Sequence, residues 1–412
     1  MLLSLSWRNL WRNKLRSMVI LLSVAVGIIG AVVSDGFISG MTDQRVNAAI
    51  ANEISDIQIH TPAFLLKGEI QDSIHQANRM IEKTEKLPEV KGISLRIKTD
   101  AMAASASAAS GITLYGVNPV SEQKVSDLYR HIIQGKYLSE KEKIPAIIGQ
   151  KLAHKLNLQL GDKLIVTLTD TSGTILNGAF FITGIFKTAN TRFDETHVFV
   201  NKKDLRTLTG AATKTGNEIA IRLKSNQQTQ PVMQQLQQLF QDKIKQHQIV
   251  IQSWEQIQPL LKSMIALMDY FSYLFLIIIL AALAFAIINT MLMAVMERTR
   301  EIGMLMALGM NKRRIFTLIM LETIFLSLTG ALVGLLLSIW IIHHFATVGF
   351  DLSSVAAGLN YIGYSSRIFF RVNTPFYIFS MLLVVLIAIL SSISPALKAL
   401  RLQPATALRE MN

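Results

Sequence analysis

The sequence predicts an integral membrane α-helical protein with four transmembrane helices. A large extracytoplasmic α+β domain is inserted between helices 1 and 2. Three observations predict this class. Half of the 412 residues are hydrophobic and only 17% are charged, whereas an ordinary globular chain has about a quarter of its residues charged. The apolar residues collect into four stretches of bilayer length, and a long mixed-polarity stretch separates the first from the second. Basic residues crowd the segments that one topology places on a single side.

A spanning helix needs about 20 mostly apolar residues. The first such stretch runs from about Ser17 to Ile38. The second, about Met264 to Met296, has no charge between Asp269 and Glu297. The third is about Ile315 to Phe345 and the fourth about Pro375 to Leu397. The first has a basic front, like a signal peptide. Its apolar run exceeds the usual 7–15 residues, and no small-x-small cleavage site follows, so an uncleaved anchor is expected.

Orientation follows from the short connections. Arg8, Arg12, Lys14 and Arg16 precede the first span. Arg298, Arg300, Lys312, Arg313 and Arg314 lie between spans 2 and 3, with Glu297 and Glu301. Lys398, Arg401 and Arg409 follow the fourth, with Glu410. Twelve basic residues against three acids place these segments, and both termini, in the cytoplasm. The expected location is the bacterial inner membrane. The expected boundaries are a cytoplasmic amphipathic entry helix at 1–16, span 1 at 17–40, a periplasmic domain at 41–262 and span 2 at 263–296. A cytoplasmic segment at 297–314 and span 3 at 315–345 follow, then a short outer loop at 346–373, span 4 at 374–397 and a cytoplasmic tail at 398–412.

The inserted region holds 27 basic and 21 acidic residues. Long domains translocate largely regardless of charge. Alternation predicts strands over 54–60, 90–97, 112–117, 180–186, 197–200 and 218–223. Residues 145–168 read as strand, short helix, Gly161-Asp162 turn, strand. Amphipathic helices are expected over 73–87, stopped by Pro88, over 202–208, and over 229–247. The last is Gln-rich, with Val232, Leu236, Leu239, Phe240 and Ile244 as its apolar stripe. The small-residue run 101–111 reads either as a strand or as a flexible loop.

Several chemistries lack their residues. There is no cysteine, hence no disulfide, thiolate metal site or thiol nucleophile. There is no Gly-x-x-x-x-Gly-Lys-Ser/Thr, so no P-loop, and no His-Glu-x-x-His or Gly-x-Ser-x-Gly. The adjacent pair His343 and His344 reads as interfacial rather than metal-binding. No metal site and no nucleic-acid partner are expected. An enzyme acting on membrane substrates would need a Ser/Lys or Asp pair at the membrane face, and none stands out. Glu322 is the clear intramembrane carboxylate. It reads either as part of a proton relay or, preferably, as pairing with Arg313 or Arg314 or capping a helix about two turns in.

The most specific segment is Met296-Glu-Arg-Thr-Arg-Glu-Ile-Gly-Met-Leu-Met-Ala-Leu-Gly-Met-Asn-Lys-Arg-Arg-Ile315. It is a short amphipathic element flanked by charge. Ile302, Leu305, Met306 and Leu308 can lie on a bilayer or in a partner's groove, and Gly303 and Gly309 allow tight bends. The plain alternative is a basic loop held by anionic headgroups.

This segment resembles the coupling helix of FtsX/MacB-type (type VII, mechanotransmission) ABC transporter permeases. Trp7 to Arg16 resembles their entry helix, 322–334 with Gly330 and Gly334 their third span, and 395–409 their tail. Tyr115-Gly-Val-Asn-Pro119 and 147–162 resemble their periplasmic core. The resemblance implies a permease subunit bound to a separate ATPase, which carries ATP and Mg, while this chain binds no cofactor. It implies a second permease chain in a homodimer or heterodimer. It also implies that Glu297, Arg298, Arg300, Glu301, Ile302, Gly303, Leu305, Leu308 and Gly309 couple to the ATPase. Length, one large first loop and no fused ATPase are most similar to the LolC/LolE lipoprotein-releasing branch. That branch implies a lipoprotein substrate, a periplasmic carrier, and a greasy cavity at the height of Met41, Met264, Met268, Tyr270 and Phe271. Ordinary helix packing is the alternative role for those five. The entry segment looks more like the broad permease group, so a MacB-like exporter of small molecules or peptides is the second reading. FtsX-like signalling to a cell-wall hydrolase, a branch with a much smaller outer loop, is the third.

Overall fold

The computed structural model describes residues 14–169, 174–210 and 216–400. Most of the entry helix and of the C-terminal tail lie outside these residues. The chain forms two compact units. One contains 1–42, 265–351 and 367–412, and the other contains 43–264 and 352–366.

Among the described residues, four helices are long and apolar enough to cross a bilayer: Ser17–Ile54, Pro259–Glu297, Lys312–Val348 and Thr374–Leu400. They run longer than the apolar stretches alone suggest. The first is α-helical over Lys14–Ala48 and widens into a π-helix over Ala49–Ile54. The third span is the hub. Its Gly330 and Gly334 lie on the first span, where a Cβ on Gly334 would come within 2.7 Å of the Ala25 carbonyl oxygen. Small residues here let two helix backbones approach closely, which drives association where apolar burial does not. Thr323 reaches the Met291 sulfur of the second span at 3.8 Å, and Met320 meets Ser392 of the fourth.

Among its described residues the inserted unit has ten strands. They are β1 (Ile57–His60), β2 (Val90–Ala104), β3 (Ala109–Val117), β4 (Ile132–Gly135), β5 (Pro145–Gly149), β6 (Lys163–Thr169), β7 (Ile175–Phe186), β8 (His197–Asn201), β9 (Glu218–Leu223) and β10 (Val250–Ser253). The long strand β2 serves two structures. Its first half pairs with β9 in a sheet ordered β10-β1-β9-β2. Its second half pairs with β3 and β6, and the pairs β3·β8, β8·β5, β5·β7 and β7·β6 close a six-stranded barrel. Two of those pairs are parallel. Period-2 alternation fills the barrel: Leu164, Val166 and Leu168 of β6 are buried, with Leu114, Ile148 and Val198 among their companions. A second core lies between the open sheet and the helices Ala77–Thr84 and Thr229–Leu239, around Ile59, Met80, Ile221 and Val232.

The small-residue run 101–111 is a hairpin: β2 continues to Ala104, Ser105 turns the chain, and β3 returns from Ala109. The strand expected from Ile54 begins only at Ile57, since the π-turns occupy the residues before it. The helix expected over 73–87 is limited to Ala77–Thr84. The Gln-rich helix breaks at Phe240, whose φ is −116°, and Leu239 is exposed while Val232, Leu236 and Phe240 are buried. The loop between spans 3 and 4 is structured: Phe350–Asp351 pairs with Arg367–Ile368, and a helix covers Ala356–Tyr361.

Where β2 passes from sheet to barrel sits a buried ion network. Arg96 donates to Glu122 at 2.6 and 3.0 Å and to Glu218 at 2.7 Å. Burial by itself would raise the Glu218 pKa; Arg96, then Lys98 and His60, outweigh it and hold the carboxylate below its usual range.

Candidate functional site: the helix between spans 2 and 3

The second span stops at Glu297, and Arg298 (φ −101°, ψ 16°) turns the chain into a short helix, Thr299–Ala307. Glu301 in its first turn suits the positive end of the helix dipole. Its C-terminus is a Schellman motif: the Gly309 N–H donates to the Met306 carbonyl and the Met310 N–H to that of Leu305. Gly309 has φ +87°, a conformation glycine adopts at little steric cost. Asn311 then caps the third span by accepting from the Arg313 N–H.

Period 3.6 divides this helix into two faces. Arg298, Ile302 and Leu305 turn inward, with Ile302 buried among neighbours that include Ile315, Leu318 and Ile319. Glu297, Arg300, Glu301, Met304 and Leu308 are exposed. Leu308 is 80% exposed and Met304 54%. Met304 and Leu308 thus form an outward apolar pair ringed by Glu297, Arg300 and Glu301.

The inward face is tied to the third span by an ion pair. Arg298 Nη1 donates to both carboxylate oxygens of Glu322, each at 3.0 Å, and its Nε lies 3.9 Å from Glu301. Both side chains of the pair are about nine-tenths shielded, at 13% and 14% exposure. Beside them lies a cavity of about 60 Å³, lined in part by Met291, Val295, Ile302 and Leu326.

This corrects the expected partner of Glu322. Arg313 and Arg314 stand in the first turn of the third span, whereas Glu322 is ten residues in, about 15 Å along the axis. Arg298 reaches it because the helix break after Glu297 lets the side chain fold back between the spans. Gly303 is likewise corrected. It is buried inside the helix and makes no bend. Of the nine residues expected to meet a partner, Glu297, Arg300, Glu301 and Leu308 lie on the outward face with Gly309 at its end. Arg298, Ile302 and Gly303 anchor the helix, and Leu305 is half-buried. Met304 belongs to the outward face and was missed; its spacing of three from Glu301 and four from Leu308 was the available signal.

The cavity expected at Met41, Met264, Met268, Tyr270 and Phe271 is one shared by spans 1 and 2 of two chains. Met41 and Met268 are half-buried, and Tyr270 and Phe271 are exposed, all in the membrane unit; Met264 is half-buried at the end of the inserted unit. A groove of about 590 Å³ does lie between the first two spans, further along them. Val19, Leu22, Val26 and Gly30 face Ile279 and Leu283 there, and none of the five lines it. Among the described residues, no group of three or more His, Asp or Glu side chains could hold a metal ion.

Residues 273–404 match the FtsX-like permease C-terminal family, and residues 17–239 match the MacB-like periplasmic core domain. An uncharacterised ABC transporter permease of Methanocaldococcus jannaschii is 25% identical over 69% of this chain and 68% of its own. The lipoprotein-releasing system transmembrane protein LolC of Neisseria meningitidis is 23% identical over 95% of this chain and 94% of its own. The macrolide export ATP-binding/permease protein MacB of Campylobacter jejuni is 40% identical, over 16% of this chain and 10% of its own. With its four spans and the inserted mixed α/β domain, the chain belongs to the FtsX/MacB-type ABC transporter permeases.

Proposed function

We infer that this chain is the permease subunit of an inner-membrane ABC machine that extracts lipoproteins from the membrane for delivery to a periplasmic carrier. The observation that carries this reading is the near end-to-end likeness to a LolC chain, over 95% of this sequence and 94% of that one. ATP, with Mg, is hydrolysed on a separate ATPase subunit, and two permease chains form the complex. The ATPase grips Glu297, Arg300, Glu301, Met304 and Leu308. Its closure displaces the helix Thr299–Ala307, and Arg298 passes that displacement to Glu322 in the hub span. Both termini and this helix are cytoplasmic, and the inserted domain is periplasmic. The groove between spans 1 and 2 takes the lipoprotein's acyl chains, for which its apolar lining is suited.

The test is ATP-dependent release of an acylated lipoprotein from liposomes containing this chain and its ATPase, with a carrier outside. Release that requires ATP and the carrier supports the reading. A second reading, export of small molecules or peptides, rests on the 40% identical stretch shared with a MacB protein. Absence of release, with ATP hydrolysis stimulated by such compounds, would favour it.

A further inference from the structure

Arg45 lies in the last α-helical turn of the first span, within the inserted unit, and its side chain is only 7% exposed. Its Nη1 donates to Glu53 at 2.9 Å across the π-helical turns. Glu53 also accepts from Asn190 at 3.0 Å, and Gln258, which precedes the second span's helix, lies 3.5 Å from its other oxygen. Asn190 in turn caps the helix Thr191–Thr196. The opposite side of the Arg45 guanidinium is covered by the loop that joins spans 3 and 4. Gly363 has φ +84°, and a Cβ there would stand 2.6 Å from Nε and 2.7 Å from Cζ of Arg45. The next residue, Tyr364, is 1% exposed. The loop is closed on itself by the Leu352 N–H donating to Ser366 and by the Tyr364 N–H donating to Leu359. Its helix Ala356–Tyr361 packs on the helix Thr191–Thr196.

We propose that Arg45 is a positioning residue that fastens loop 352–366 to the stalk of the first span, making the loop a strap through which spans 3 and 4 draw on the inserted domain. A planar, permanently charged group suits this role, because it can hold Glu53 with its edge while a backbone lies over its face. Glycine at 363 is the seat, since any side chain would displace the guanidinium. A lysine at 45 keeps the charge but offers no plane. The strap reaches beyond the coupling helix, and its part in lipoprotein release rests on the function proposed above.

The chain has no cysteine, so labels can be placed at will in the full-length protein. Spin labels at Gly358→Cys, where an added Cβ meets nothing within 4 Å, and at Leu66→Cys, 87% exposed, report loop against domain. A second pair, Leu66→Cys with Met102→Cys, reports the domain alone. The expected result is one narrow 358–66 distance, unchanged by ATPase and nucleotide. Arg45→Ala and Gly363→Ala should broaden it at least twofold while leaving the 66–102 distance unaltered, and Arg45→Lys should not restore it. In the reconstituted complex, Arg45→Ala should keep ATP hydrolysis within twofold and lower release per ATP at least fivefold. A narrow 358–66 distance in both Arg45→Ala and Gly363→Ala overturns the strap, as does unchanged release per ATP when that distance is broad. If the wild-type chain releases no lipoprotein, the function proposed above fails, and the distances still decide whether Arg45 fastens the loop.

Discussion

Arg298 and Glu322 are 24 positions apart, and one guanidinium nitrogen meets both carboxylate oxygens at 3.0 Å. The contact joins the break after the second span to the interior of the third. Removing one partner of a shielded ion pair leaves the other charge unsatisfied, at a cost of about 3–5 kcal/mol when burial is complete. At 13–14% exposure, solvent reduces that cost. Glu322→Ala is therefore expected to destabilise the chain by about 1–3 kcal/mol and to lower release per ATP about tenfold. Glu322→Gln keeps an acceptor and should fall between. Thermal melting and the release assay read the two effects separately.

The two faces of the helix Thr299–Ala307 should respond differently to mutation. Leu308→Asp is expected to weaken ATPase binding at least tenfold with little change in melting temperature, because Leu308 is 80% exposed. Ile302→Ala should do the reverse, costing about 2–4 kcal/mol from a buried site while the outward face is intact. Co-purification and melting of both variants check the contrast.

Gly334→Val is expected to separate the first and third spans. A Cβ at 334 would lie 2.7 Å from the Ala25 carbonyl oxygen and 2.8 Å from its Cα, both backbone atoms that cannot yield locally. The expected loss is about 2 kcal/mol or more. Gly358→Ala, in open space, is the control and should melt with the wild type.

His197 should make a contribution to the stability of the inserted domain that is lost in mild acid, opposed by Asp194, whose burial raises its pKa from 3.8 to about 7. His197 stacks on Phe193 at 4.1 Å and on Tyr115 at 5.7 Å. Burial first, then Lys98, lowers its pKa from 6.5 to about 3. Between those values the unfolded chain binds a proton that the folded chain does not. The His197 contribution is full above pH 6.5 and falls as the pH drops toward 3, by up to about 1.4 kcal/mol per pH unit. His197→Phe should remove this acid loss, so that on going from pH 7 to 4 the variant gains stability relative to the wild type in parallel melts.

The spans were legible because a run of about 20 apolar residues has few other uses. The helix Thr299–Ala307 was legible because its charged and apolar residues alternate faces in one turn-length pattern, while a coupling role is implied by the resemblance alone. Its inward partner was not. Choosing Arg298 over Arg313 or Arg314 depends on where the second span breaks, and no residue at 297 or 298 announces the break. Barrel closure was hidden for a similar reason: β2 is one strand with two sets of neighbours, and alternation along it does not say where the set changes. The strap was hidden because Arg45 and Gly363 are remote in sequence and each is unremarkable alone. Height and apolar character place Met41, Met264, Met268, Tyr270 and Phe271 at a depth in the bilayer but do not say which face of a helix meets its neighbour.

The measurement that bears most directly on coupling through the inner helix is site-specific photo-crosslinking of the assembled complex. A photoreactive phenylalanine analogue is placed at Met304, Leu308 or Ile302 in turn. Crosslinks to the ATPase subunit are expected from 304 and 308, strengthened or shifted by nucleotide, with 302 reacting only within the permease. A co-purifying ATPase that crosslinks equally from 302, or from neither 304 nor 308, would contradict the assignment of this helix as the coupling element.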